Sequence, residues 1–208
     1  MADRVGIILA SSSKRRQQLL REIGLEFVVR PSDIREEMLP GESPDEFVFR
    51  MALEKHKAAS PQDGEIVVAA DTIVVLDGVV LGKPADEEEA RSMLEAMRGR
   101  AHQVKTGLAI GTLHTVVSEV VTTTVWMRDY SPQEIDEYVA RGEPFDKAGG
   151  YAIQDQEFAP VAFYQGSPMN VVGLPICRLA FHLGNFGIAV PVDPMEVCRR
   201  WFGEGCGD

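Results

Sequence analysis

A serine loop followed by a run of cations is the first feature of this sequence that could carry chemistry. Ser11 opens a three-serine loop directly after the apolar segment 5–10, and the loop is followed by Lys14, Arg15 and Arg16. A helix beginning at these serines would present unpaired amides and the positive end of its dipole, and both favour an anion. Cations there oppose the dipole, so their presence needs a reason. Arginine binds phosphate through paired hydrogen bonds, which favours a phosphate site over a solvated basic turn.

An aspartate inside an apolar strand is the second feature. Asp71 lies within the segment 67–75, which otherwise consists mainly of alanine and β-branched residues. A buried carboxylate is costly unless it is paired, hydrogen-bonded or bound to a metal, so this position favours a functional group over a structural cap. Side chains alternate along a strand, so Asp71 and Thr72 should face opposite sides. We therefore expect a bulge or a strand end here if both residues line one site.

Three further features suit a phosphate or cation site less specifically. The spacing from Gly78 to Lys83 is one residue short for a P-loop, and Pro84 replaces the serine or threonine that would hold magnesium. Lys83 in this turn remains a candidate phosphate ligand. The glycine-rich stretch 142–154 carries charges of both signs, which is typical of a binding loop. Among the acidic loop residues, Glu36 is the candidate ligand for a hard divalent cation such as Mg²⁺ or Mn²⁺.

The composition argues against several other classes of protein. The 208 residues include 21 lysines and arginines against 32 aspartates and glutamates, which gives a net charge of −11. So acidic a chain is not expected to hold long nucleic acid, because that binding rests on neutralising phosphates. No apolar run approaches the roughly 18 residues of a membrane span, so no membrane contact is expected. Three cysteines without CxxC pairs predict no zinc site, and a reducing cytoplasm is the expected compartment.

The order of the predicted elements indicates an α/β fold with a mixed sheet. Strands and helices alternate in the first half of the chain, and a long antiparallel pair follows. Strands are predicted at 5–10, 25–29, 66–76, 79–81, 103–112 and 115–127, with another near 164, and helices from the serine loop and from Ser43, Asp86, Ser131, Leu174 and Asp193. Ser43 and Ser131 each precede a proline and lie three residues before a glutamate, the pattern of a capping box. Residues 203–208 are predicted to be a frayed tail.

Taken in chain order, these segments resemble the Maf-like nucleotide pyrophosphatase family. The resemblance spans residues 9–175, and the ordered set of motifs is specific although each motif is weak alone. The matching motifs are Leu9-Ala10-Ser11-Ser12-Ser13-Lys14-Arg15-Arg16, Glu54-Lys55, Ala70-Asp71-Thr72, Gly82-Lys83-Pro84, His102-Gln103-Val104-Lys105-Thr106-Gly107, Asp146-Lys147-Ala148-Gly149 and Val171-Val172-Gly173-Leu174-Pro175. Lys14 stands where the family usually has proline, and Ala152 and Asp155 stand where it usually has glycine.

The resemblance implies a metal-dependent hydrolase that splits a nucleoside triphosphate into the monophosphate and pyrophosphate. Asp71 matches the family's proposed base, while Lys55, Lys83 and Glu36 match its basic and acidic cleft residues. Glu36 and Asp71 would hold the divalent cation, Mg²⁺ or Mn²⁺. The residues that would lie against the phosphates are Lys83, Arg16 and Ser11. The implied architecture is an elongated mixed sheet flanked by helices, with two lobes and an intervening cleft over residues 1–190, a C-terminal helix and tail over 191–208, and often a homodimer.

The choice of nucleobase in the substrate is the second implication of the resemblance. Arg15, Thr72 and Gln154 fall at the positions tied to that choice, and the motifs are closest to the dTTP/UTP branch. A glutamine amide both donates and accepts hydrogen bonds, so Gln154 can match the carbonyl and N3–H of uracil or thymine. Two alternatives stay open. One is a 7-methyl-GTP pyrophosphatase, which has an acidic residue at the glutamine position, and the other is a non-catalytic nucleotide-binding regulator of cell division.

Overall fold

A seven-stranded mixed sheet organises the computed structural model, which describes residues 5–203. The strands are β1 (Gly6–Leu9), β2 (Val28–Val29), β3 (Glu65–Leu76), β4 (Val79–Leu81), β5 (Ala101–Gly111), β6 (Val116–Met127) and β7 (Val161–Gln165). Their order is β2-β1-β3-β5-β6-β7, with β4 also paired to β3. The pairs among β2, β1 and β3 are parallel, and all other pairs are antiparallel. The predicted α/β fold with a mixed sheet is therefore confirmed.

Helices flank this sheet, and most of them begin where the sequence places their caps. They are α1 (Lys14–Glu22), α2 (Pro44–Ala58), α3 (Glu87–Met97), α4 (Pro132–Ala140), α5 (Pro168–Val172), α6 (Ile176–Asn185) and α7 (Pro194–Phe202), with 3₁₀ turns at Pro144–Asp146 and Ala148–Gly150. Both predicted capping boxes are confirmed, because Ser43 and Ser131 each exchange hydrogen bonds with the glutamate three residues later. Within residues 5–203, no helix is long and apolar enough to cross a membrane.

Three elements differ from the sequence-based expectation. Strand β2 is only two residues long instead of spanning 25–29, because the Leu25 N–H donates back to the Leu20 carbonyl at the end of α1. The helix predicted from Leu174 begins at Ile176. The reason is Gly173, which takes a left-handed φ of 115° and ends the short helix α5 that the sequence reading missed.

The apolar core on each side of β3 is interrupted at the same position along the strand. On one face, Ile66, Val68 and Ala70 belong to one hydrophobic cluster, and Val74 and Leu76 belong to a second. On the other face, Val67 and Ala69 belong to a third cluster, and Ile73 and Val75 belong to a fourth. Asp71 and Thr72 fall between the paired clusters, one on each face. The middle of β3 is therefore the place where two polar side chains replace core packing.

The last described residues pack back onto the first helix. The N–H of Val192 donates to the carbonyl of Ile23 at 3.2 Å, and Arg200 pairs with Glu22 at 2.9 Å. Val197, on the inner side of α7, is fully buried in the cluster that also covers α1. The proposed boundary at residue 190 stays a prediction. The predicted tail falls on residues 204–208, outside the described part of the chain, apart from its first residue, at 203.

Candidate active site

A cleft of about 350 Å³ lies where the core clusters of β3 are interrupted. Its walls come from the loop after β1, the start of α1, the middle of β3 and the segment 146–154. Every residue that the sequence marked as a candidate lines this cleft: Ser11, Arg15, Arg16, Glu36, Lys55, Asp71, Thr72, Lys83 and Gln154. The structure thus brings together residues that are far apart in the chain.

Asp71 and Thr72 both reach the cleft without any break in their strand. β3 pairs continuously with β5, with Asp71 opposite Gly107 and Thr72 opposite Thr106. The predicted bulge or strand end is therefore wrong. On the opposite edge of β3, the ladder with β1 ends at Val68 and the ladder with β4 begins at residue 74. Because no strand among the described residues pairs with this edge between those points, side chains from both faces of β3 open into one space.

A buried charge cluster occupies the Asp71 face of the cleft. Lys55, from the inner side of α2, places Nζ 2.5 Å from Asp71 Oδ1 and 2.6 Å from Glu36 Oε1. The side chains of Lys55 and Asp71 are each 7 % exposed, whereas Glu36, from the loop before α2, is 53 % exposed. A carboxylate in such a position requires a partner, and the ammonium supplies it. The sequence left open whether Lys55 orients Asp71, and this contact is shown directly.

Arg16 forms the opposite wall and is also buried. Its Nε donates to the carbonyl of Gly173 at 2.8 Å, and its two Nη atoms donate to Ser11 Oγ at 3.2 Å and Thr72 Oγ1 at 3.0 Å. Burial lowers the pKa of the Arg16 guanidinium, and the nearby charge of Asp71 opposes that shift. The guanidinium thus ties the serine loop, β3 and the end of α5 into one wall.

Arg15 reaches across the mouth of the cleft to the segment on the far side. Its Nη1 donates to Asp146 Oδ2 at 2.6 Å and its Nη2 donates to the Asp146 carbonyl at 2.9 Å. Lys147 Nζ lies 2.7 Å from the other oxygen of the same carboxylate. Burial raises the pKa of Asp146, but the hydrogen bonds and charges of Lys147 and Arg15 outweigh burial and lower it overall. We call this partly exposed ion-pair cluster of Arg15, Asp146 and Lys147 the clasp.

A neutral hydrogen-bonded pair anchors the loop that leads to Gln154. Tyr151 Oη lies 2.7 Å from His102 Nε2, and both side chains are buried. Burial lowers the pKa of His102 to about 4, so the imidazole is uncharged at neutral pH. Gln154 follows Tyr151 by three residues and is half-buried at the cleft wall. The anchor fixes the start of this loop.

Asn170 and Thr106 support the site, and the sequence analysis assigned a role to neither of them. The Asn170 side-chain amide donates to the carbonyls of Val104 and Val121, at 3.0 and 3.2 Å, which holds α5 against β5 and β6. Thr106 Oγ1 lies 2.9 Å from Thr72 Oγ1 and so extends the wall into the sheet. Threonine is common in strands and asparagine in loops. Neither residue type therefore carries a signal in the sequence that would single it out.

Two carboxylates of the cleft, those of Glu36 and Asp71, suit a divalent cation. Glu36 and Asp71 both direct an oxygen at one point, which the Lys55 ammonium occupies. Within residues 5–203, no group of three or more histidine, cysteine or acidic side chains could hold a metal ion. Magnesium is commonly bound through one or two carboxylates, with water and substrate phosphates as its other ligands. The donor set therefore fits a metal that binds together with a phosphorylated substrate.

Comparisons with known proteins agree with the geometry. A sequence model of the Maf-like protein family matches residues 6–186. A dTTP/UTP pyrophosphatase of Anaeromyxobacter dehalogenans is 47% identical over 189 residues, which cover 89% of this chain and 96% of that protein. A dTTP/UTP pyrophosphatase of Symbiobacterium thermophilum is 48% identical over 187 residues, covering 88% and 95%. The structure of a HAM1 protein from Coxiella burnetii superposes with a TM-score of 0.44 at 20% identity, covering 61% of this chain and 74% of that one, a similarity too distant to inform the site.

Proposed function

Because this chain belongs to the Maf-like family, we propose that it is a nucleoside triphosphate pyrophosphatase that hydrolyses dTTP and UTP to the monophosphate and pyrophosphate. The observation that carries the proposal is the buried Asp71–Lys55 pair in a cleft whose other walls carry cations. The relatives at 47% and 48% identity are dTTP/UTP pyrophosphatases, which supports the same reaction.

Asp71 is the general base in this proposal. Its carboxylate accepts a proton from a water molecule as the water oxygen attacks the α-phosphorus of the nucleotide. The bond between the α-phosphorus and the bridging oxygen breaks, and pyrophosphate leaves with that oxygen. In the structure Lys55 orients the Asp71 carboxylate, with Nζ 2.5 Å from Oδ1. Since phosphoryl-type reactions depend mainly on positioning and charge stabilisation, one base in a cationic cleft suffices.

The leaving pyrophosphate is stabilised by the cationic wall. Lys83 is an exposed residue of the cleft, and the serine loop presents amides at the start of α1. Arg16 carries its charge at the same wall while holding Ser11 in place. Glu36 and Asp71 would hold a divalent cation, Mg²⁺ or Mn²⁺, which neutralises phosphate charge when bound.

Arg15, Thr72 and Gln154 are the proposed base-recognition residues. Thr72 is fixed by Arg16 and Thr106, so its hydroxyl has a defined position at the cleft wall. Gln154 offers both a donor and an acceptor, as the edge of uracil or thymine requires. Arg15 lies at the cleft mouth beside the same loop segment. Recognition of a pyrimidine base by these three residues is part of the proposal.

A nucleotide panel tests the function. Purified protein is incubated with dTTP, UTP, dCTP, GTP and 7-methyl-GTP in Mg²⁺ or Mn²⁺, with separate detection of pyrophosphate and orthophosphate. Fastest pyrophosphate release from dTTP and UTP is expected. Orthophosphate as the direct product would contradict cleavage at the α-phosphorus. A preference for 7-methyl-GTP would contradict the proposed pyrimidine substrate. Tight binding without turnover in either metal would favour a regulator.

The setting of the enzyme is part of the same proposal. A consumer of nucleoside triphosphates belongs where those nucleotides are made, so we assign it to the cytoplasm. The family resemblance favours a homodimer. Light scattering of the purified protein would give its mass directly, and a mass near the 22.9 kDa of one chain would contradict the dimer.

A further inference from the structure

One point of the cleft is contacted by both carboxylates assigned to the metal, and a protein cation already lies there. Lys55 Nζ is 2.5 Å from Asp71 Oδ1 and 2.6 Å from Glu36 Oε1. Both partners of the inner contact, Lys55 and Asp71, are 7 % exposed, so water screens this pair weakly. The ammonium thus stands where a divalent cation shared by these two oxygens would also have to lie.

We propose that Lys55 is an internal cation that competes with the divalent metal for Glu36 and Asp71, and that metal binding displaces its ammonium toward the substrate phosphates. The inference rests on the function proposed above, since that function assigns the metal to the two carboxylates. Its physical basis is charge. A buried Asp71 without a partner is unfavourable, so Lys55 stabilises the metal-free protein, and two cations at one point repel each other in a poorly screened site.

The chain provides the freedom that such a displacement needs. Lysine carries its charge on a flexible four-carbon stem, so the ammonium can move without moving α2. Glu36 lies on a loop and is 53 % exposed, so it can follow either cation. Lys83, an exposed residue of the same cleft, forms no ion pair with either carboxylate among the described residues. Lys83 carries the same charge as Lys55 but does not lie between the two carboxylates, so it serves as the matched control.

The first test measures metal binding in the absence of nucleotide. Mn²⁺ affinity is determined by electron paramagnetic resonance at pH 8 for the wild type, Lys55→Met and Lys83→Met. Lys55→Met should bind Mn²⁺ about 10- to 100-fold more tightly, the scale of changes beside a metal ligand. Lys83→Met should stay close to the wild type. Unchanged or weaker binding in Lys55→Met would overturn the proposal, and so would equal tightening in both variants.

The second test uses the unaltered protein, so it decides the matter even if Lys55→Met fails to fold. Lysine acetylation by a water-soluble reagent is followed by peptide mass spectrometry with and without saturating Mg²⁺. Displacement should raise the labelling rate of Lys55 several-fold while that of Lys83 stays constant. An unchanged rate at Lys55 would overturn the proposal. Neither test involves turnover, so their failure alongside normal pyrophosphate release would remove the competition and leave the proposed function intact.

Discussion

The two faces of β3 meet the cleft at neighbouring residues but present different chemistry. On one face Asp71 is held in a buried ion pair by a single lysine from α2. On the other face Thr72 is part of a network of a guanidinium, a second hydroxyl and a backbone carbonyl, from Arg16, Thr106 and Gly173. The difference teaches that one uninterrupted strand can deliver a reactive charge and a shaped recognition surface to the same space, provided that its free edge is left unpaired.

The largest effect should come from neutralising the charged face. Asp71→Asn should lower kcat for dTTP by about 10²- to 10⁴-fold, because the base is lost. Glu36 still pairs with Lys55, so thermal unfolding should show a folded protein. The control is Asp45→Asn, which removes a carboxylate from Lys105 away from the cleft. Near-normal turnover of Asp71→Asn would remove Asp71 from the role of base.

The neutral His102–Tyr151 anchor beside the recognition face should make the stability of the protein depend on pH. The pKa of His102 is about 4 in the folded protein against an ordinary 6.5, so the unfolded chain binds a proton first as pH falls. The contribution of neutral His102 to the free energy of unfolding is complete above pH 6.5. As the pH falls toward 4, about 3 kcal/mol of that free energy is lost. In urea unfolding, His102→Gln should lose this part of the pH dependence. The exposed His114→Gln should retain it, and identical profiles for both would contradict the anchor.

The base preference is a sharper test of the recognition face alone. Gln154→Glu replaces a donor and acceptor by an acceptor only, which suits the donor edge of guanine. The ratio of kcat/KM for 7-methyl-GTP to that for UTP should rise about tenfold or more. Gln156→Glu adds the same charge to an exposed position of the same loop and should leave the ratio unchanged. An unchanged ratio in Gln154→Glu would exclude Gln154 as a base reader.

The smallest effect is expected at the clasp, which belongs to neither face. Asp146→Asn weakens the hold on Arg15, and exposed ion pairs contribute at most about 1 kcal/mol. KM for dTTP should rise by no more than about fivefold with kcat unchanged. Asp136→Asn, in a similarly exposed pair with Arg91, is the control and should change neither constant. A large fall in kcat would mean that the clasp shapes the charged face as well.

Local sequence patterns were sufficient to predict most helices and strands, but not the boundaries and connections between them. The helices that begin at Ser43 and Ser131 were predicted because a capping box is complete within four residues. Strand β2 was predicted too long because the Leu25 N–H donates back to α1, and the short helix α5 was missed because it ends at a left-handed Gly173. The alternation rule correctly separated Asp71 from Thr72, yet the expected bulge was wrong, since alternation says nothing about the neighbouring edge.

What the sequence alone determined is the set of chemically capable residues and the elements that carry them. The motif order predicted the family, and an aspartate in an apolar strand marked the reactive position, because residue type and local period are readable without the fold. Only the tertiary structure decided what those residues touch. Lys55 between Glu36 and Asp71, Arg16 on Gly173, and the clasp of Arg15 with Asp146 all join positions that are distant in the chain. Such contacts depend on which strand edges pair and which remain open, and that is a property of the assembled sheet.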